Sequence, residues 1–391
     1  MADYNKLALK MHKENKGKIS VESKVALENK DDLSTAYTPG VAEPCREIHK
    51  NKEAVYTYTS KGNMVAVVSD GTAVLGLGDI GAHAAIPVME GKAVLFKSFA
   101  GVDAFPICLD TKDTDEIVKT IKLMAPMFGG INLEDIAAPR CFEIEEKLKK
   151  ELDIPVFHDD QHGTAIVVLA GLINGLKLAE KELENIKVVI NGAGSAGIAI
   201  TKLLLKAGVK DIVLCDKNGA IFEGAKGLNI AQEEIAKVTN HRKEEGNLVD
   251  IMKNKDVFIG VSAPNIVTKE MIASMNEKAI VFAMANPVPE IMPEDALDAG
   301  AFIVGSGRSD YPNQINNVLA FPGIFRGALD VRAKQITENM KVRASFAIAN
   351  VLKKEELRVD KIIPNPFNEN VAKAVAEAVI EAAKEDGVAK I

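Results

Sequence analysis

Apolar runs rich in β-branched residues alternate with amphipathic segments through the first half of the chain. The runs, each predicted to be a strand, cover residues 64–69, 104–109, 130–136 and 154–160. Residues 114–127 and 141–152 lie between them and carry apolar residues at helical spacing, as does the charged N-terminal stretch 1–30. Strands that alternate with helices are typical of an α/β fold with a parallel sheet.

A second series of apolar runs begins near residue 187, at residues 188–190, 212–214, 257–261, 279–284 and 302–305. The nearly all-apolar stretch 163–179 precedes it and predicts a buried helix that joins the two series. From residue 321 onward the pattern is mainly helical, including residues 371–384. Residues 34–44 (STAYTPGVAEP) contain two prolines and a glycine and predict a loop or turn.

The glycine-rich turn after the strand at 188–190 predicts a dinucleotide site. Glycines recur there with GxGxxG spacing, an amphipathic segment follows, and the next strand ends on an acid. Such a turn lets backbone N–H groups approach a pyrophosphate at a helix N-terminus, and the acid binds a ribose hydroxyl. A turn that binds nothing is the alternative. The predicted cofactor-binding residues are Gly192, Ala193, Gly194, Ser195, Ala196, Gly197 and Asp216.

This unit defines the fold class and the domain organisation. We predict an α/β protein with a Rossmann-type, doubly wound NAD-binding domain, an α/β N-terminal catalytic domain and a helical C-terminal segment. The boundaries are expected at residues 1–160 for the catalytic and metal-binding domain, 161–317 for the NAD(P)-binding domain and 318–391 for the C-terminal segment, which packs back on the N-terminal domain. An acid at Asp216 favours NAD⁺, whereas Lys217 beside it would accommodate NADP⁺.

A second glycine-rich stretch, residues 74–86, only superficially resembles a phosphate loop. We expect no dinucleotide-type helix and terminal acid after it, and a close backbone approach explains its glycines equally well. Residues 90–99 then place Lys92 and Lys97 among apolar residues. Lysines are usually exposed, but a partly buried one has a lowered pKa and can act as a base.

Two acidic pairs end the third and fourth predicted strands. Glu134-Asp135 and Asp159-Asp160 would meet at the carboxyl edge of a parallel sheet. Carboxylates packed so closely need a cation or raised pKa values, and an all-oxygen site suits Mg²⁺ or Mn²⁺. Capping of the following helices is the alternative. His158 and His162 have zinc-like spacing, but a strand-to-helix junction is expected between them, which argues against zinc.

Composition excludes several classes of protein. The 391 residues include 48 Lys and Arg against 55 Asp and Glu, a net charge of −7 with no basic block, so nucleic-acid binding is not expected. The polar N-terminus does not predict a signal peptide, and the longest apolar run, residues 165–173, is too short to span a membrane. Four scattered cysteines predict neither disulfides nor a thiolate metal site. A cytoplasmic location is expected.

Several stretches together resemble the malic enzyme family, in its short bacterial form, over essentially the whole chain. They are YTPGVA, GLGDIGAHAAIPVMEGKAVLFK, LEDIAAPRCFEIE, PVFHDDQHGTA, INGAGSAGIA, ANPVPEI and NQINNVLAFPG. The resemblance implies oxidative decarboxylation of (S)-malate to pyruvate and CO₂, reduction of NAD⁺ or NADP⁺, and dependence on Mg²⁺ or Mn²⁺. It also implies a homodimer, with an active site that the neighbouring chain completes.

The resemblance assigns roles to individual residues. It makes Tyr37 the general acid, Lys92 the general base and Asp159 its support. The metal ligands would be Glu134, Asp135 and Asp160. The amides that hold malate would be Asn286 and one or both of Asn316 and Asn317. Asparagines in such loops are otherwise common as turn formers.

One segment departs from the family pattern. Longer malic enzymes have a substrate-binding arginine just before the GLGD glycines, where this chain has Thr72-Ala73. The substrate carboxylate must then be bound by the metal, the asparagines, backbone N–H groups or another cation.

Alternative functions are malolactic conversion of malate to lactate, non-redox decarboxylation of oxaloacetate by a lyase, and nucleotide sensing without catalysis.

Overall fold

The computed structural model describes residues 3–74 and 76–391; Met1, Ala2 and Leu75, which fall in the predicted N-terminal helix and glycine-rich stretch, lie outside the described residues. The strands are β1 (Met64–Ser69), β2 (Asp103–Cys108), β3 (Gly130–Leu133), β4 (Val156–His158), β5 (Lys187–Asn191), β6 (Asp211–Asp216), β7 (Gly219–Ala220), β8 (Val257–Gly260), β9 (Ile280–Ala283) and β10 (Ile303–Ser306). The helices are α1 (Tyr4–Asn15), α2 (Lys30–Ala36), α3 (Ala42–Lys50), α4 (Val55–Tyr58), α5 (Gly81–Ala100), α6 (Thr114–Met124), α7 (Arg140–Glu151), α8 (Asp159–Ala179), α9 (Ser195–Ala207), α10 (Ile230–Ala236), α11 (Leu248–Ile251), α12 (Lys269–Ala273), α13 (Pro293–Asp298), α14 (Phe321–Asp330), α15 (Glu338–Asn350) and α16 (Asn370–Glu385).

The first sheet is parallel, with strand order β2-β1-β3-β4. Alternate residues of β1 serve different cores, as the two-residue period of a strand requires. Val65 and Val67 belong to the large core that also contains residues of α5 and α8, whereas Ala66 and Val68 pack with residues of α6 and α7. Both faces of the sheet are therefore buried, and the functional groups of this half are available only at the strand ends.

The second sheet has the order β10-β9-β8-β5-β6-β7, parallel except for the short β7. Its strand order reverses beside β5, because β6 lies on one side and β8 on the other. Val188 and Ile190 of β5 contribute to the large core, and Val189 contributes to a separate core on the opposite face. This doubly wound sheet confirms the predicted Rossmann-type fold.

Helix α8 connects the two sheets and is the central core helix. It is long and apolar enough to cross a membrane by length and composition, but 78% of its apolar window is buried inside the protein. It packs against α9 and α15. The predicted boundary at residue 160 falls in the first turn of this helix, and the domain limits stay a prediction.

The C-terminal helices pack against one another and against α5 and α8. Helix α14 packs against α5 and α16. Phe96 of α5 makes edge-to-face contacts with Phe321 and Phe325 of α14, at centroid distances of 4.7 and 5.3 Å. Such pairs stabilise a packing geometry beyond the apolar area that they bury. They fix α14 beside the helix that carries Lys92.

Three local predictions were wrong. Residues 34–44 are not all loop, because α2 extends to Ala36 and α3 begins at Ala42; Pro44 lies in the first turn of α3, where a missing N–H is tolerated. The prediction that no helix accompanies the second glycine-rich stretch was wrong, because α5 begins inside that stretch at Gly81. The prediction that no terminal acid follows was right, since β2 ends on Cys108. Asp159 and Asp160 begin α8 and do not end a strand, because acids at a helix N-terminus are favoured by the helix dipole.

Candidate active site

Three carboxylates converge where β3 and β4 end. Glu134 and Asp135 follow β3, Asp160 lies in the first turn of α8, and one oxygen from each lies within 4.8 Å of the others. The backbone N–H of Asp135 donates to Asp160 Oδ2 at 2.8 Å. Asp135 has a φ of 53°, in the left-handed region that residues with a Cβ seldom adopt. The chain is thus held in an unusual conformation where it presents this acid.

Lys92 lies next to these acids, at the inner face of α5. Its Nζ is 2.7 Å from Asp159 Oδ2 and 2.8 Å from Glu134 Oε1, and the side chain is 8% exposed. The ring of Phe321 lies beneath the ammonium group, with its centroid 4.4 Å away. Lys92 therefore touches both acidic pairs that the sequence singled out, whereas Lys97 on the same helix is exposed and pairs with Asp103.

The proximity of these charges changes their pKa values. Burial raises the pKa of Asp135 to about 9, and the neighbouring Asp160 and Glu134 add to the effect. Burial likewise raises the pKa of Asp159 to about 7 and that of Asp160 to about 6, although Lys92 opposes it. Burial disfavours the charge on Lys92, but Asp159 and Glu134 outweigh it and raise its pKa above the usual value. One lysine does not neutralise four acids.

The cluster fits a hard divalent cation. Asp135 Oδ2 and Asp159 Oδ1 are buried and have no hydrogen-bond partner in residues 3–74 and 76–391. Buried carboxylate oxygens without donors are unfavourable unless a cation binds them. Because the donors are all oxygen atoms, Mg²⁺ or Mn²⁺ suits them better than zinc. Glu134, Asp135 and Asp160 are the residues that would hold it.

The two histidines do not form a zinc site. His158 is in β4 and His162 in α8, as expected from the junction between them. His162 points toward Glu145, with Nε2 2.8 Å from Oε1, and its Nδ1 lies 3.0 Å from Nζ of Lys341. This buried charged group links α7, α8 and α15, and both ring nitrogens of His162 are used within it.

The predicted substrate amides differ in their surroundings. Asn317 Nδ2 donates to Asp159 Oδ2, which places this side chain at the acid cluster. The Oδ1 of Asn316 accepts from the N–H of Val318 and caps the short 3₁₀ helix Asn317–Leu319. Asn286 is exposed in the loop after β9. Of Asn316 and Asn317, it is thus Asn317 whose side chain contacts Asp159, the carboxylate that pairs with Lys92.

Tyr37 makes no hydrogen bond to this cluster in the part of the chain that the structure describes. It caps the C-terminus of α2, its side chain is 66% exposed, and no hydrogen bond joins its hydroxyl to any residue that the structure describes. The helices around it, α1 to α4, contain no buried residue in the described chain. No contact within this chain therefore supports Tyr37 as the general acid of its own cluster.

The nucleotide turn has the geometry that a pyrophosphate requires. Gly192 has a φ of 117°, and a side-chain carbon at Gly197 would lie 1.7 Å from Gly192 O, so helix α9 can approach the turn only without one. Gly194 caps α9 without a side-chain hydrogen bond, which leaves the first N–H groups available. Ala193 is buried beneath the turn, and Ser195 and Ala196 begin the helix. These residues fit a dinucleotide.

Family profiles agree with this geometry. The profile described as "Malic enzyme, N-terminal domain" matches residues 15–149, and that described as "Malic enzyme, NAD binding domain" matches residues 161–384. The chain belongs to the malic enzyme family. As a malic enzyme it catalyses the oxidative decarboxylation of malate with NAD⁺ or NADP⁺ and a divalent metal ion.

Individual malic enzymes match nearly the whole chain. A bifunctional malic/malolactic enzyme of Bacillus subtilis is 64% identical, with 98% of this chain and 94% of that protein covered. An NAD-dependent malic enzyme of Geobacillus stearothermophilus is 60% identical over 96% of this chain and 78% of its own length. The crystal structure of malic enzyme from Pyrococcus horikoshii has a TM-score of 0.95 at 51% identity, covering 99% of this chain and 92% of that one.

The sequence pattern missed two buried polar residues of this malic enzyme, Asn132 beside the acid cluster and Glu290 between two loops. Asn132 donates to Glu134 Oε2 at 2.8 Å; a signal was present, because residues two apart on a strand share a face. Glu290 is fully buried and accepts from the N–H groups of Ser262 and Ala285, so that it ties together the loops after β8 and β9. No local signal identifies Glu290, since an acid after a proline-rich loop is usually exposed.

Proposed function

We propose that Lys92 is the base of malate oxidation in this enzyme, with Asp159 as its partner and with Glu134, Asp135 and Asp160 as the metal ligands. The contact that supports this most directly is the placement of Lys92 Nζ between Asp159 and Glu134, beside the acid cluster. No other lysine in the described chain shares that position.

The chain's own groups account for the proton transfers. Lys92 Nζ accepts the proton of the C2 hydroxyl as hydride leaves C2 for the nicotinamide of NAD(P)⁺. The C3–C4 bond then breaks to release CO₂, and a proton returned to C3 gives pyruvate. A divalent ion in the cluster would supply Lewis-acid polarisation of the C2 oxygen. Asn317, which donates to Asp159, keeps that carboxylate oriented toward Lys92.

Lys92 must lose its proton before it can act as a base. Its two carboxylate neighbours raise its pKa, which is the opposite of what a base requires. A cation bound by Glu134 would neutralise one of these neighbours, and burial would then favour the uncharged amine. The apolar ring of Phe321 beneath the amine contributes to that burial.

Replacement of Lys92 tests this role. Lys92→Ala should lower kcat for malate oxidation by roughly 10²- to 10⁴-fold, the usual contribution of a positioned base. The measurement is nicotinamide absorbance with malate, Mn²⁺ and NAD⁺ or NADP⁺ in parallel, together with the NAD⁺ dissociation constant, which should not change. Lys97→Ala, an exposed lysine of the same helix, is the matched control. Turnover equal to wild type in Lys92→Ala would remove Lys92 from the mechanism.

We also propose that the enzyme works as a homodimer in which Tyr37 protonates C3 in the partner's site. The N-terminal region exposes apolar side chains along its whole length, at Tyr4, Leu7, Leu9, Val21, Val25, Leu27 and Tyr37. It is attached to its own chain by few contacts, such as the backbone N–H of Lys18 to Glu90 and the ion pair of Lys24 with Asp103. A run of exposed apolar residues marks a protein interface.

Mixing two inactive variants distinguishes this arrangement from a site within one chain. Tyr37→Phe and Lys92→Ala homodimers are each defective in their own step. If Tyr37 acts in the partner's site, one site of every mixed dimer contains both wild-type groups. Random exchange at equal amounts should then restore roughly a quarter of wild-type activity. If Tyr37 acts within its own chain, mixing restores nothing, and a monomer in sedimentation would contradict the dimer outright.

Malolactic conversion is a second candidate activity. The Bacillus subtilis relative, 64% identical, is named as a bifunctional malic/malolactic enzyme. The same base, acid and nicotinamide would reduce pyruvate to lactate if NADH remained bound after CO₂ release. Product analysis with catalytic amounts of NAD⁺ separates the two activities, since only the malolactic one accumulates lactate.

A cytoplasmic location is also proposed, because α8 is a core helix and the four cysteines are free throughout the described chain.

A further inference from the structure

One hydroxyl group after β1 makes three side-chain and backbone hydrogen bonds. Thr72 Oγ1 donates to Asp70 Oδ1 at 2.6 Å and accepts from the backbone N–H of Ala137 and from Nη2 of Arg140, both at 3.0 Å. Nη1 of Arg140 lies 2.8 Å from Asp70 Oδ2. These three side chains form a closed arrangement, the Asp70–Thr72–Arg140 triangle, in which Asp70 and Thr72 are buried.

The triangle is bonded to the turn that presents Asp135. Ala137, whose N–H is bound by Thr72, is two residues beyond Asp135, and Asp135 O accepts from the N–H of Ala73 at 3.0 Å. Two hydrogen bonds from residues 72–73 therefore fix the backbone on the C-terminal side of Asp135. A left-handed conformation persists in a non-glycine residue only when its surroundings impose it. Residues 72–73 supply that constraint.

The other side of the triangle is bonded to the start of α5. The N–H groups of Ile80 and Gly81 donate to Gly71 O at 3.0 and 3.1 Å. Gly71 has a φ of 70°, and a side-chain carbon there would lie 2.3 Å from Gly81 O. Residues 70–73 are thus held between the helix that carries Lys92 and the turn that carries Asp135.

We propose that Asp70, Thr72 and Arg140 are positioning residues for the divalent metal site, which act by holding Asp135 in its left-handed conformation with its carboxylate directed into the acid cluster. This rests on the proposed role of Asp135 as a ligand. The buried Asp135 Oδ2, without a partner in the described chain, is the atom that they place. Outer residues that orient metal ligands commonly change metal affinity when replaced.

Direct contact of Arg140 with a substrate carboxylate is the rival role. The guanidinium already binds the Asp70 carboxylate, the Thr72 hydroxyl and Lys112 O, the last at 3.0 Å. Its side chain is 25% exposed. Since a carboxylate, a hydroxyl and a carbonyl already occupy it, and Asp70 balances its charge, Arg140 acts here as part of the triangle.

Metal binding without substrate or nucleotide tests the proposal. Thr72→Val removes the hydroxyl at nearly constant volume and should raise the Mn²⁺ dissociation constant about 10- to 100-fold, as measured by electron paramagnetic resonance of free Mn²⁺. Thr72→Ser keeps the hydroxyl and should retain Mn²⁺ affinity. Arg140→Gln, at the most exposed corner of the triangle, should weaken Mn²⁺ binding in the same direction. The NAD⁺ dissociation constant should stay at its wild-type value in all three variants.

Two results would overturn the proposal. One is unchanged Mn²⁺ affinity in Thr72→Val and Arg140→Gln together with a raised KM for malate, which would assign these residues to the substrate. The other is parallel loss of Mn²⁺ and NAD⁺ binding with a lowered Tm, which would indicate general destabilisation. Asp160→Asn separates this inference from the ligand assignment. If Asp160→Asn abolishes Mn²⁺ binding and Thr72→Val does not change it, only the triangle's role fails; if Asp160→Asn leaves binding intact, the ligand assignment fails as well.

Discussion

Asp216 is the residue on which we expect discrimination between NAD⁺ and NADP⁺ to depend most directly. It ends β6, the strand beside the nucleotide turn, and its Oδ1 accepts from the N–H of Asn218 at 2.7 Å. That hydrogen bond holds the carboxylate at the carboxyl end of β6. An acid in this position of a dinucleotide-binding fold binds the ribose of NAD⁺ and repels the 2′-phosphate of NADP⁺. Lys217, the adjacent cation, would act in the opposite direction. We therefore expect Asp216 and Lys217 to set the cofactor preference by their charges.

Removal of the Asp216 charge should shift the preference toward NADP⁺. Asp216→Asn keeps an oxygen for the N–H of Asn218, so the turn is preserved while the repulsion is lost. A charge pair at the protein surface is worth a few kcal/mol at most, so the ratio of kcat/KM for NAD⁺ over NADP⁺ should fall roughly tenfold to a hundredfold. Asp211→Asn, at the other end of the same strand, is the control. A ratio unchanged in Asp216→Asn, or changed equally in Asp211→Asn, would contradict this role.

At the scale of elements, the parts that the sequence predicted are those whose signals are local. The unit of β5, the glycine turn, α9 and β6 follows from apolar period and glycine spacing within one short segment. The start of α8 was missed because Asp159 and Asp160 follow an apolar run, and strand ends and helix N-termini both favour acids. The family resemblance predicted that the acids and Lys92 share one site. The spacing of the acids alone did not decide between metal binding and capping of the following helices.

Contacts between distant segments were beyond prediction. Thr72 and Arg140 are 68 residues apart in sequence, and neither carries a pattern that pairs them. Glu290 likewise acquires its partners only when the loops after β8 and β9 meet. Tyr37 illustrates the opposite case. Its sequence motif was recognisable, but the folded chain shows no hydrogen bond between its side chain and the acid cluster in the described residues. The periodicity of apolar residues along the chain therefore predicts helices and strands, whereas tertiary packing determines which polar groups share a site.

At the scale of the whole molecule, folding concentrates negative charge at one point. Glu134 and Asp135 come from the first sheet, Asp159 and Asp160 from the helix between the sheets, and Asn317 from the segment before α14. The folded chain therefore holds carboxylates that would be solvated and separate in the unfolded chain. That concentration makes the stability of the folded enzyme depend on both pH and divalent metal.

The sign of that dependence follows from the pKa shifts. Burial raises the pKa of Asp135 to about 9, of Asp159 to about 7 and of Asp160 to about 6, above the value near 4 of an unfolded aspartate. Between about pH 4 and these raised pKa values the folded state keeps protons that the unfolded state has released, so these three acids contribute a loss of stability to the metal-free fold as pH rises. Lys92, with its raised pKa, stays protonated over this range and adds no pH dependence.

Mn²⁺ should therefore stabilise the enzyme more at about pH 8 than at about pH 6, because it binds only the deprotonated acids and relieves their repulsion. The measurement is the rise in Tm that saturating Mn²⁺ produces at each pH, with ionic strength held constant. Proton release on binding, followed by calorimetry in buffers of different ionisation enthalpy, should be detectable at pH 6 and smaller at pH 8. In Asp160→Asn the Mn²⁺ increment should be small at both values. An increment in the wild-type enzyme that is equal at both pH values, or larger at pH 6, would show that these acids are not the metal ligands.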